Sequence, residues 1–116
     1  MTSSQQLVII AIHDAGIRSA LAAWLGASGE TLVVADGVAS IRVPDDARAN
    51  AILIVDASDH EGDVVAMLRG EGWGDGLIIL SANPVKQAGE RIAYLPHDAP
   101  SVSVAAILQM WRQRRA

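Results

Sequence analysis

Four short runs of apolar, largely β-branched residues constrain this chain more than any other feature: Leu7 to Ile12, Thr31 to Ala35, Ala51 to Val55 and Leu77 to Leu80, with a weaker fifth at Ile92 to Leu95. Runs of this length and residue type predict β-strands. Three of them are apolar at nearly every position instead of alternating. A strand needs that pattern when helices cover both of its faces, as in a parallel sheet. The segments between the runs carry helical signals. Ile17, Leu21, Trp24 and Leu25 recur at helical spacing, with Asp14 placed as a cap and Gly26 near the end. Asp63 to Arg69 predicts a shorter helix with Val64, Val65 and Leu68 on one face, closed by the glycine-rich stretch Gly70 to Gly74. Ser101 is placed to cap a last helix with a stripe of Val102, Ala105, Leu108 and Trp111. Pro44 interrupts Val38 to Ala49, and Pro84 to Glu90 spans barely two turns, so these two connections are read as partly loop.

The alternation of strand and helix implies right-handed crossovers in one doubly wound α/β domain, with chemistry expected at the carboxyl ends of the strands. A chain of 116 residues with 51% hydrophobic content builds one core and is read as a single domain over 1–116. The absence of cysteine excludes a disulfide scaffold, a thiol nucleophile and thiolate metal centres. No apolar run reaches the roughly 18 residues of a membrane span, and residues 1–6 lack the pattern of a signal peptide. The chain is therefore read as cytoplasmic, with no membrane partner. A formal charge of −4 argues against nucleic acid as a partner. Arg112, Arg114 and Arg115 are read as complementing the carbonyl end of the last helix.

Polar residues gather after the strands: His13 and Asp14 after the first, Asp56 after the third, Ser81 after the fourth and His97 after the fifth. In this joint order the chain resembles a bacterial response-regulator receiver domain. Ala51-Ile-Leu-Ile-Val-Asp56 is similar to the strand that presents that family's phosphoacceptor aspartate. Leu77-Ile-Ile-Leu-Ser81-Ala82 is similar to the strand ending in its Ser/Thr, and Ala93-Tyr94-Leu95-Pro96 to its fifth strand. The resemblance implies a flavodoxin-like (βα)5 three-layer sandwich with a five-stranded parallel sheet. It makes Asp56 the phosphoacceptor, Ser81, His97 and His13 parts of a phosphoryl pocket, and Tyr94 a switch aromatic. Magnesium, if bound, is expected at Asp14 and Asp56.

The chain also departs from the family's pattern. Ile12-His13 stands where an acidic pair is expected, leaving Asp14 one position later, and His97 stands in place of a lysine. Magnesium prefers hard oxygen ligands in octahedral geometry, which an imidazole does not supply. A histidine, with an unperturbed pKa near 6.5, carries positive charge only conditionally. The stretch from Ser81 to His97 is short for the family, implying a shortened fourth helix. The expected function is an atypical receiver that signals by binding proteins, a histidine kinase or another signalling protein, with phosphorylation at Asp56 lost or weakened. It is not expected to be an enzyme.

Several alternatives remain at this stage. The domain could be phosphorylation-competent, with magnesium at Asp14 and Asp56, or could carry a transition-metal site of His13, Asp56 and His97. On the alternative reading Asp56 is a turn aspartate, Asp14 a helix cap, Ser81 a bonding partner for nearby backbone, and the two histidines hydrogen-bonded strand ends. A homodimer through the last helix is a further expectation. The tryptophans are assigned to the core, with an exposed partner anchor as the alternative for Trp73 between its glycines. His60 is expected in an exposed loop.

Overall fold

The computed structural model describes residues 6–82, 91–97 and 100–115. Five strands, β1 (Leu7–Ala11), β2 (Thr31–Ala35), β3 (Ile52–Asp56), β4 (Gly76–Leu80) and β5 (Ile92–Leu95), form one all-parallel sheet in the order β2-β1-β3-β4-β5. Helices α1 (Ala15–Ala27), α2 (Asp45–Asn50), α3 (Val64–Gly70) and α4 (Pro100–Arg115) are interleaved with them. This is the flavodoxin-like doubly wound topology expected from the apolar runs. The helix expected within Pro84 to Glu90 lies outside the described residues.

The sheet divides the core into two halves by strict alternation. Val8, Ile10, Ile52, Ile54, Ile78 and Leu80 face one side, where Leu21 and Leu25 of α1 and Val104, Leu108 and Trp111 of α4 cover them. Ile9, Ala11, Leu53, Val55, Leu77 and Ile79 face the other, under Val64 and Leu68 of α3 together with Ile41 and Trp73. Side chains of successive strand residues point to opposite faces, so a strand that is apolar at every position requires both covers.

The helix boundaries follow from capping. Asp14 Oδ1 accepts the Ile17 N–H at 3.0 Å and starts α1, and Asp63 Oδ1 accepts the Ala66 N–H at 3.1 Å and starts α3. Two positive-φ glycines, Gly29 at 89° and Gly72 at 97°, turn the chain just past the ends of these helices. Pro44 stands at the cap position of α2, preceded by a 3-10 turn at Val38–Ser40, so the interrupted connection is partly helical. Ser101, expected as a cap, instead lies inside α4, whose first residue is Pro100. Proline's fixed φ suits the first helical position and moves the start one residue earlier.

One tryptophan departs from expectation, and another settles between its two readings. Trp24 is 47% exposed, because Leu21 and Leu25 share the core stripe of α1 and residue 24 is rotated about 100° from 25. Trp73 is 1% exposed. The left-handed turn at Gly72 sends the chain back under α2, and Gly74 approaches so closely that a Cβ there would lie 3.0 Å from the Ala49 carbonyl oxygen. Trp111 is buried as expected and lies across the start of β4. It is backed by the Arg91 guanidinium 4.9 Å from its ring centroid, itself paired with Asp75 at 2.9 Å. Arg112, expected to complement the end of its own helix, forms a forked pair with Glu30 in the α1–β2 connection. That contact ties α4 to α1.

A Cβ on Gly76 would lie 2.7 Å from Trp111 Cζ3 and 3.2 Å from Ile52 Cγ1. Gly76→Ala is therefore expected to destabilise the domain by about 1–3 kcal/mol in urea unfolding, through overpacking. Gly26→Ala within α1, where the nearest atom is 3.8 Å away, should stabilise it by roughly 0.5–1 kcal/mol.

Candidate functional site

Among the described residues, Asp56 is the only charged side chain in the buried core, at 3% exposure. It ends β3, between Val55, which packs into the α3 side of the core, and the 3-10 turn Ala57–Asp59. Withdrawing a carboxylate from water costs several kcal/mol unless hydrogen bonds replace the lost hydration. They do so here on one oxygen. Oδ1 accepts the Ser58 N–H at 2.9 Å, the Ser58 hydroxyl at 2.7 Å and the ring of His97, whose Nε2 lies 2.9 Å away. Burial pushes the Asp56 pKa up. The bonds from His97 and Ser58 and the His97 charge outweigh it and hold the carboxyl below its ordinary value of 3.8. No donor reaches Oδ2 among the described residues.

His97 arrives from the segment after β5, forty-one residues along the chain, because β4 alone separates β3 from β5 in the sheet. The Ser81 N–H donates to the Leu95 carbonyl at 2.8 Å and extends the β4–β5 ladder at this end. Tyr94, in register with Ile79, is half-buried against the α3 side of the core. The structure thus joins Asp56 to His97, and places Ser81 and Tyr94 on the neighbouring strands.

His13 and Asp14 are placed differently. Asp14 is exposed, with Oδ1 engaged by its own helix. His13 is exposed and lines a separate crevice with Asp36, Gly37, Asp59 and His60 at the ends of β1, β2 and β3. Its backbone N–H donates to Asp59 Oδ2 at 3.0 Å. Arg18 reaches over from α1 and donates to the carbonyls of Ile12 and His13 at 2.9 and 3.0 Å, fixing a guanidinium at the end of β1. Among the described residues no three His, Asp or Glu side chains assemble into a metal-holding group, so a site of His13, Asp56 and His97 does not form. Of the two residues expected to hold magnesium, Asp14 has Oδ1 engaged by its own helix and Asp56 has Oδ1 engaged by Ser58 and His97, so each would offer Oδ2 to the octahedral oxygen shell of that ion.

The chain matches no family model, no curated protein and no solved structure. Geometry alone therefore describes this site: a buried carboxylate at a sheet's carboxyl edge, held by one imidazole and one serine.

Sequence reading missed Ser58, Arg18 and Asp59. An Asp two residues before a Ser at a strand end is the signature of an Asx turn, so Ser58 had a local signal. The other two had none, because their contacts cross between elements. His60, expected to be exposed, is half-buried.

Because the folded pKa of Asp56 is depressed, its stabilising contribution is present above the ordinary carboxylate range and is lost as pH falls through the folded value. In a carboxyl-carbon NMR titration Asp56 should have its midpoint below 3.8. In His97→Ala the midpoint should move up, since burial then acts with less to oppose it. An unchanged midpoint would disprove the pairing.

Proposed function

We propose that this domain is an atypical receiver that acts in signal transduction through contacts with other proteins, with phosphorylation of Asp56 lost or weakened. The observation that carries this reading is the pairing of Asp56 Oδ1 with the imidazole of His97 at 2.9 Å, a group that carries positive charge only conditionally. A phosphoacceptor needs a free carboxylate oxygen in line with the donor, a divalent cation to screen the phosphoryl oxygens, and a fixed positive charge for the product. Here the imidazole stands in the lysine's place. Asp14 Oδ1 is spent on its helix cap, and the Arg18 guanidinium at the end of β1 repels an incoming cation.

One observation favours the phosphorylation-competent alternative. All three bonds converge on Oδ1, which leaves Oδ2 without a donor among the described residues and able to act as a nucleophile.

Magnesium and beryllofluoride, a phosphoryl mimic, separate the two readings when amide shifts near Asp56, Ser81 and Tyr94 are recorded, with Asp56→Ala as control. The proposal expects no saturable response from the folded parent. Saturable shifts present in the parent and absent in Asp56→Ala would overturn it in favour of a working phosphoryl switch.

A further inference from the structure

A second cavity, of about 430 Å³, opens on the α2–α3 side of the sheet and shares Val38, Ala39 and His60 with the crevice beside His13. Its walls are apolar along Val38, Ile41 and Met67 and polar at Arg48, His60 and Trp73. Arg48 Nε, His60 Nε2 and Trp73 Nε1 are buried and meet no hydrogen-bond partner among the described residues. No other described side-chain nitrogen or oxygen shares that condition, and all three atoms belong to residues of this one cavity. Buried donors are ordinarily satisfied, and exceptions concentrate where a ligand or water belongs.

The arrangement is held from behind. Trp73 is 1% exposed, and its backbone is fixed by its N–H to Leu68 and by the Arg69 guanidinium on its carbonyl at 2.9 Å. The Arg48 guanidinium stacks 5.1 Å from the Trp73 ring centroid and spends Nη1 on the Glu71 carbonyl at 3.1 Å. Its Nε–H remains beside the indole. Arg42, also lining the cavity, is bonded to the carbonyls of Ala39 and Ile41 and contributes charge without an open Nη1. The Glu71 side chain is the one carboxylate in the lining, against two guanidiniums, so the cavity favours an anion.

We propose that this cleft binds a small organic carboxylate: the carboxylate accepts from Arg48 Nε and Trp73 Nε1, His60 Nε2 pairs with a further polar atom, and the carbon body lies on Ile41 and Met67. The size is that of an ordinary small-molecule site, and the lining mixes apolar and polar residues. Guanidinium suits a carboxylate, and the apolar walls disfavour a bare inorganic anion.

The test uses sodium benzoate as the probe, with benzyl alcohol as its uncharged counterpart and inorganic phosphate as the bare anion. The indole N–H resonances report on the three tryptophans, and Trp73→Phe identifies the relevant one. Benzoate should shift the Trp73 indole resonance saturably and give intermolecular Overhauser contacts to the Met67 methyl group. Arg48→Gln, verified as folded by its amide spectrum, should weaken that binding at least tenfold; His60→Ala serves if Arg48→Gln does not fold. No saturable shift, an equal response to benzyl alcohol or phosphate, or benzoate binding unaffected in the folded variant would each overturn the proposal.

Discussion

A carboxylate at the end of a strand buried at every position governs this end of the molecule. β3 is buried at every position, so the chain carries Asp56 into a region with little water to solvate it. A charge in that place persists only where fixed donors replace the solvent. Ser58 supplies two of them from the adjoining turn and His97 a third from the far side of β4. The order β2-β1-β3-β4-β5 makes this possible, since it brings the segment following β5 within reach of the end of β3. The sheet order and the compensated charge thus support each other: without His97, burial would press Asp56 toward its neutral form.

The sheet was legible in the sequence because its signal is local and redundant. A strand covered on both faces has no polar position, and β1, β3 and β4 each showed this in a single run. Helix starts at Asp14 and Asp63 were legible for the same reason, as a capping side chain lies three residues from the N–H it accepts. The tryptophans were not. Trp24 lies outside the core it was expected to fill and Trp73 could be read two ways, because one depends on where a helix stripe ends and the other on a left-handed glycine folding the chain under a helix it meets only in three dimensions. Of the candidate site, Asp56 and its strand could be read directly, while the meeting with His97 followed from the family resemblance. The separate position of His13 depended on how the turn after β1 closes under Arg18.

The two sides of the sheet play different parts. On one, Trp111 lies over Gly76 and the Arg112–Glu30 pair binds α4 to α1, giving a tightly interlocked layer. On the other, α2 has only six residues and contributes no fully buried side chain. The cover there is completed by Ile41 and Trp73, and the cavity bounded by Arg48, His60 and Trp73 lies in this thinner layer. Thin cover over an apolar sheet face leaves polar atoms caught between core and solvent, which is the physical origin of the three unpartnered nitrogens.

The account stands or falls on whether Asp56 and His97 depend on each other in the folded protein. A double-mutant cycle on unfolding free energy, with Asp56→Asn, His97→Ala and the two combined, measures that dependence directly. A direct charge-assisted bond predicts a coupling of about 1 kcal/mol or more between the two sites. Effects that add to within about 0.5 kcal/mol would show that the residues do not interact, and the compensated buried charge would be contradicted.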